Sequence, residues 1–136
     1  MASKNRTENH VVTTSLIYSL IVFFVTYYLS QYYVNGDQLH YINAYNVIHE
    51  MNVGAAYFHY TNLLSSTELV HFLLIWTWGG VIDKNILMSI SNSALAYLVT
   101  YSMLKVGANK VIALLVLLVS YYPFVLFLSA ERLKFS

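Results

Sequence analysis

The chain has 136 residues, of which 58% are hydrophobic and 10% charged, and its formal net charge is +1. Soluble domains carry about 25% charged residues, so this chain has too few to cover a water-facing surface. The near-neutral charge and the lack of a basic patch argue against nucleic-acid binding. The absence of cysteine excludes disulfides and thiolate metal sites. The composition predicts a single integral membrane domain over residues 1–136, with the lipid bilayer as its first partner.

The first predicted membrane span covers residues 11–34. This run contains no charged residue and is longer than the roughly 20 apolar residues that cross the hydrocarbon core. It is also longer than the apolar core of a secretory signal peptide, and no small-residue cleavage site comes after it. We therefore expect a retained transmembrane helix.

The first external loop, residues 35–66, comes after this span and holds no lysine or arginine. Within it, apolar side chains recur at helical spacing, and polar side chains occupy the other positions. The apolar set is Leu39, Ile42, Val47, Ile48 and Met51, and the polar set is His40, Asn43, Asn46 and Glu50. This pattern predicts an amphipathic helix that lies along the membrane interface, with its apolar side in the lipid boundary.

Asp37 is the most distinctive residue of this loop, because it follows the turn-forming pair Asn35-Gly36 at the exit of the first span. A carboxylate at this position can serve as a general base or bind a divalent cation. It can equally cap the predicted helix by accepting hydrogen bonds from free backbone amides. Both interpretations stay open, and one residue can fill both roles.

Three further spans are predicted at residues 67–82, 86–104 and 111–129. The first of these is short and carries His71, and the chain turns at residues 83–85 into the next one. Small side chains in span 86–104 let a neighbouring helix approach closely; they are Ser89, Ser91, Ser93, Ala94 and Ala96. The predicted fold class is therefore all-α, with four transmembrane helices and one interfacial helix.

The distribution of lysine and arginine predicts a cytoplasmic N-terminus, because short cytoplasmic flanks are enriched in these residues. With four alternating spans, the cytoplasmic side holds Lys4, Arg6, Lys84, Arg132 and Lys134, and the outer side holds Lys105 and Lys110. The first loop, including Asp37, then faces outward.

Arg132, just after the last span, is a candidate phosphate-binding residue, since a guanidinium can hold a phosphate through two hydrogen bonds. It can also serve only as an anchor of the span at the interface. The histidines show no pair at i,i+4 spacing on a convincing helix, and only His71 lies within a span. We therefore expect the histidines to form hydrogen bonds, without metal or haem ligation, and the sequence leaves the identity of any cofactor open.

Two stretches together resemble bacterial polytopic glycosyltransferases of the GT-C type and the related O-antigen or exopolysaccharide polymerases. The first is "YYVNGDQLHYINAYNVI", in which an acidic residue and tyrosines open the first external loop. The second begins with "ISNSALAYLVTYSML" and continues through a short loop with lysine and glycine to a span with Tyr-Pro and a following arginine. Asp37 matches the loop carboxylate of that pattern, and Arg132 matches the arginine beyond the Tyr-Pro helix.

The resemblance implies a multi-pass protein of the bacterial inner membrane, whose site lies at the outer face and acts on sugars linked to polyprenyl phosphate. In this interpretation Asp37 activates an acceptor hydroxyl, while Arg132, His40 and Tyr41 bind the substrate. Such proteins have more spans than this chain has room for, so we expect an N-terminal part, a truncated form or a small relative that works in a complex. The alternative is a non-enzymatic membrane subunit or scaffold that packs against a larger partner.

Overall fold

The computed structural model describes residues 2–32, 37–65 and 67–119, and all regular structure in this part of the chain is helical. Six helices succeed one another: α1 (Ala2–Ser30), α2 (Asp37–Ile48), α3 (Val53–Leu64), α4 (Leu69–Trp78), α5 (Lys84–Lys105) and α6 (Lys110–Val119). The predicted all-α class is therefore confirmed for the described residues.

The two longest helices, α1 and α5, pack side by side in opposite directions. Near the middle of the pair, the Ser19 hydroxyl oxygen lies 2.7 Å from the Ser93 hydroxyl oxygen and 2.9 Å from the Ser93 carbonyl oxygen. Toward one end, Ser30, the last residue of α1, and Lys84, the first residue of α5, line the same cavity. Because positions later in α1 meet positions earlier in α5, the two helices are antiparallel.

Small side chains form the contact between α1 and α5. The buried residues of this contact face recur every three or four positions; they are Ser15, Ser19, Val22 and Thr26 on α1, and Ser89, Asn92, Ala96 and Thr100 on α5. Small interfacial residues allow close backbone approach and are typical of helices that associate within a membrane. The predicted close approach of a neighbouring helix to the small residues of α5 is confirmed at Ser93, which contacts Ser19, and at Ala96, which packs with Val22.

The outward faces of the same two helices carry large apolar side chains. The exposed residues include Leu16, Ile17, Leu20 and Phe24 on α1, and Ile90 and Leu98 on α5. Helices of soluble proteins show the reverse pattern, with large apolar residues inside and polar residues outside. The segments Glu8–Ser30 and Lys84–Lys105 are long and apolar enough to cross a membrane, and their exposed faces suit lipid.

Helices α2, α3 and α4 pack around a second core and are here called the cap unit. This core, which also includes the first turn of α5, consists of Tyr41, Ala44, Tyr45, Ile48, Ala56, Tyr60, Leu64, Phe72, Ile75, Leu87 and Met88. The predicted loop helix is present as α2. Tyr41 and Tyr45 form its face toward the core, whereas Leu39 and Val47, which were predicted to face the lipid boundary, are exposed. Each tyrosine ring contributes a large apolar surface to this core.

The predicted span at residues 67–82 corresponds to a much shorter helix. α4 has 10 residues, which makes it about 15 Å long at roughly 1.5 Å per residue. That is about half of the ~30 Å hydrocarbon core. The predicted span 111–129 begins with α6, and its part from residue 120 onward lies outside the described residues. Of the four predicted spans, the described residues support two.

The antiparallel packing of α1 and α5 differs from the arrangement expected for four alternating spans. Four alternating spans would place Lys84 on the N-terminal side of the membrane and Lys105 and Lys110 on the other. In the structure, α5 begins beside the end of α1, so Lys84 lies at the end of the pair far from the N-terminus. Lys110 lies near the start of α1, with its Nζ 2.6 Å from Nε2 of His10. The difference arises because α4 has only 10 residues and α5 begins at the end of the pair where α1 stops.

Candidate functional site

A cavity of about 470 Å³ opens at the end of the helix pair where α1 ends and α5 begins. Three elements surround it, namely the end of α1, the middle of α2 and the turn between α4 and α5. Its lining residues are Ser30, Ile42, Tyr45, Asn46 and residues 79–85. The volume falls within the range of about 300–1,000 Å³ that is common for small-ligand sites.

Two glycines allow the α4–α5 turn to lie directly against α2. A Cβ atom on Gly79 would lie 2.7 Å from the Ile75 carbonyl oxygen and 3.0 Å from the Tyr45 carbonyl oxygen, and a Cβ on Gly80 would lie 2.7 Å from the His49 ring. Both 2.7 Å contacts are shorter than real Cβ atoms tolerate. The pair Gly79-Gly80 therefore sets the distance between two walls of the cavity.

The charged residues of the cavity both make hydrogen bonds that hold the helices in place. The Asp83 carboxylate accepts hydrogen bonds from the backbone amides of Asn85 at 2.8 Å and Ile86 at 3.3 Å, so it caps α5. The Lys84 ammonium donates to the Gln38 side-chain oxygen at 2.6 Å. This second bond attaches the start of α2 to the start of α5 at the cavity rim.

Tyr45 connects α2 to the α4–α5 turn from within the core. Its hydroxyl donates to the carbonyl oxygens of Ile82 and Trp78, at the two ends of the turn that follows α4. Burial, together with the nearby negative charge of Asp83, raises the pKa of Tyr45 to about 12. The phenol is therefore a neutral hydrogen-bond donor at physiological pH, and it donates to the carbonyl oxygens of this turn.

Of the four residues predicted as a site from the sequence, the structure describes the side chains of two, His40 and Tyr41. α2 begins at Asp37, next to Gln38 at the cavity rim, while the Asp37 side chain lies outside the described part of the structure. His40 is exposed and Tyr41 is buried in the core of the cap unit, and neither lines the cavity. Arg132 lies outside the described residues.

A polar pair, His71 and Tyr60, is buried inside the cap unit. The sequence had identified His71 only as a histidine within a predicted span. The Tyr60 hydroxyl and Nδ1 of the fully buried His71 are 2.9 Å apart. The Tyr41 ring packs edge-on against the imidazole, with 5.8 Å between ring centroids. These contacts join α2, α3 and α4 through one aromatic cluster, and the expectation that this histidine forms a hydrogen bond is confirmed.

Sequence reasoning missed the cavity lining itself. It identified residues 83–85 as a turn and Asn46 as part of a polar helix face, but it gave neither a role at a site. The available signal was the sequence "WGGVIDKN", in which two glycines and an Asp-Lys-Asn turn come after a short apolar helix. Only the packing of the turn on α2 brings Asn46 and Asn85 to one cavity.

The lining is suited to hydrogen bonding with a polar ligand. It offers side-chain amides from Asn46 and Asn85 and a hydroxyl from Ser30, beside the charges of Asp83 and Lys84. In residues 2–32, 37–65 and 67–119, no group of three or more His, Cys, Asp or Glu side chains could hold a metal ion. The lining therefore combines uncharged hydrogen-bonding side chains with one carboxylate and one ammonium group.

Comparison of the chain with family models, with curated proteins and with solved structures finds no match in any of the three. The resemblance to GT-C glycosyltransferases and polysaccharide polymerases therefore remains a prediction from the sequence. The cavity and the helix pair are the features of the molecule that bear on its function.

Proposed function

We propose that the chain is a multi-pass protein of the bacterial inner membrane that binds the polar head of a polyprenyl-phosphate-linked sugar, as glycosyltransferase-like or polymerase-like proteins do. The observation that carries this proposal is the position of the cavity. It lies at the end of two antiparallel helices of spanning length, with a hydrogen-bonding lining. A ligand that is lipid at one end and polar at the other meets both environments there.

The orientation in this proposal is derived from the basic residues. With α1 and α5 crossing in opposite directions, Lys4, Arg6, Lys105 and Lys110 lie at one end of the pair. Of the described lysines and arginines, Lys84 alone lies at the other end. The positive-inside rule makes the first end cytoplasmic. The N-terminus is then cytoplasmic, and the cavity opens on the outer face.

The roles of Asp37 and Arg132 in this proposal come from the resemblance. Asp37 begins α2, next to Gln38 at the rim of the cavity, and in the proposal it activates an acceptor hydroxyl. Arg132, which lies outside the described residues, is proposed to hold the lipid phosphate through its guanidinium.

The second candidate function is a non-enzymatic subunit that packs against a larger membrane partner. It is favoured by the hydrogen bonds within the cavity. Asp83 caps α5, Lys84 binds Gln38, and Tyr45 binds two turn carbonyls. Each of these polar groups already has a structural role in the fold.

Native mass spectrometry of the detergent-purified protein tests both candidates. Polyprenyl phosphate and a polyprenyl-pyrophosphate-linked oligosaccharide are added as probes. The proposal predicts binding of the sugar-bearing lipid, and Asn46→Ala weakens it by about fivefold, the value of one hydrogen bond of roughly 1 kcal/mol. The matched control is Asn43→Ala, because Asn43 lies on the same helix but is exposed and outside the cavity.

Three results would contradict the proposal. Equal loss of binding in both asparagine variants would place the ligand elsewhere on α2. Absence of binding to the isolated chain would show that the chain alone does not bind lipid-linked sugars. A stoichiometric larger protein in the native complex, without lipid-linked sugar, would favour the subunit function instead.

A further inference from the structure

Helix α4 presents one apolar face to its surroundings and another to the protein. His71, Phe72 and Ile75 are buried in the cap unit. On the opposite side of the helix, Leu69, Val70 and Leu73 are exposed, with relative exposures of 59%, 57% and 46%. A helix whose two faces are both apolar is not explained by packing within the cap unit alone.

The chain before and after α4 limits what this helix can do in a bilayer. Ser30 and Lys84 line the same cavity, so the segment between α1 and α5 begins and ends at one end of the helix pair. A segment with both ends at one membrane face enters the bilayer without a net crossing. The 10 residues of α4 are also too few to reach the other face.

The composition of α4 and its flank identifies what covers the exposed face. No charged residue occurs from Leu69 to Ile82, and the exposed side chains are of the same aliphatic type as those on the outward face of α1. Apolar helices of about 10–14 residues that are not fully buried are typical of re-entrant or interfacial segments. The bilayer that receives α1 and α5 therefore lies beside this face as well.

Two tryptophans mark the end of the helix. Trp78 is exposed, whereas Trp76 is half-buried and donates its ring N–H to the Met51 carbonyl oxygen at 3.0 Å. Tryptophan is enriched at the level of the lipid headgroups. Their position indicates that the C-terminal end of α4, next to the cavity, lies at that level.

We infer that α4 is a half-inserted lipid-contacting helix: it places Leu69, Val70 and Leu73 in the acyl boundary of the leaflet that faces the cavity, and it does not cross the membrane. The inference rests on the proposed membrane location of α1 and α5. It adds that the cap unit is anchored in the lipid, so that the cavity opens at headgroup level.

The chain contains 2 tryptophans, Trp76 and Trp78, both in α4, so fluorescence excited selectively at tryptophan reports on this helix alone. The full chain is reconstituted in phosphatidylcholine–phosphatidylglycerol vesicles whose acyl chains are brominated either near the headgroup or near the chain end. We expect stronger quenching by shallow bromines than by deep ones, and weak quenching by aqueous iodide. The Trp76→Phe variant, which keeps exposed Trp78, should be quenched more strongly than Trp78→Phe.

The other outcomes separate the possible failures. Flotation of the vesicles comes first, because a chain that does not float with lipid refutes the membrane proposal itself. For a chain that floats, strongest quenching by deep bromines shows that α4 crosses. Strongest quenching by iodide shows that it faces water, and no quenching by either shows that protein covers it. Each of these three results overturns the inference about α4 and leaves the membrane location standing.

Discussion

Asp37 offers a test at the scale of one residue, because asparagine and aspartate cap helices about equally well. We expect Asp37→Asn to leave the helical content and thermal stability of the protein nearly unchanged. A general base typically raises the reaction rate by a factor of about 10²–10⁴, and this is the role proposed for Asp37. Transfer of a sugar from a polyprenyl-linked donor should therefore fall by at least about a hundredfold.

The matched control for Asp37→Asn is Glu50→Gln. Glu50 is exposed just beyond the other end of α2, so this change removes one negative charge from the same region without reaching the cavity. Full transfer activity is expected in the control. If Asp37→Asn were also fully active, Asp37 would be a helix cap and no more.

At the same scale, the start of α2 could be predicted from the sequence and its orientation could not. Asn35-Gly36 and Asp37 predicted a helix start where α2 begins. The periodicity of Leu39 and Val47 predicted a face toward the lipid boundary, and both side chains are exposed, but it did not show which face packs against α3 and α4. Tyr45 is buried since its ring fills the core while its hydroxyl reaches the carbonyl of Ile82, a contact between elements that spacing along one helix cannot show.

The contact between α1 and α5 provides the test at the scale of helices. Ser19 is buried against Ser93, and their hydroxyl oxygens are 2.7 Å apart. A leucine at position 19 would push the helices apart and remove this hydrogen bond. We expect Ser19→Leu to lower the free energy of unfolding in detergent by about 1–3 kcal/mol, measured by denaturant titration of the helical signal.

Thr13→Leu is the control for this change, because Thr13 lies on the exposed side of the same helix. The added apolar surface then meets detergent or lipid, so little change in unfolding is expected. Equal destabilisation by both variants would mean that the small-residue face does not hold the pair together.

Hydropathy predicted the position of the long apolar helices better than it predicted the length of α4 or the contact between α1 and α5. Span 86–104 was predicted within two residues of α5 at its start, since long apolar runs are read directly from composition. Residues 67–82 were predicted as a span because they form a mainly apolar run, whereas α4 has only 10 residues because the helix is bounded by Glu68 and Gly79. The pairing of α1 with α5 depends on serines, which contribute little to hydropathy but much to close approach.

At the scale of the whole molecule, the two possible topologies predict opposite sides for the same positions. The chain has 0 cysteines, so single cysteines can be labelled without background. Val81, before α5, and Val106, after it, are the most exposed large apolar residues of the described chain, at 76% and 85%. In the proposed orientation of the antiparallel pair, Val81 would lie on the outer face with the cavity and Val106 in the cytoplasm.

We therefore expect Val81→Cys to react with a membrane-impermeant maleimide in intact spheroplasts, and Val106→Cys to react only after the membrane is permeabilised. Four alternating spans predict the reverse for both positions, because α4 would carry the chain inward before Val81 and α5 would carry it outward before Val106. Labelling of both cysteines from outside would show that α5 does not cross. Since the two substitutions flank one helix and alter no residue of the α1–α5 contact, a difference between them reports the direction of α5 in the membrane.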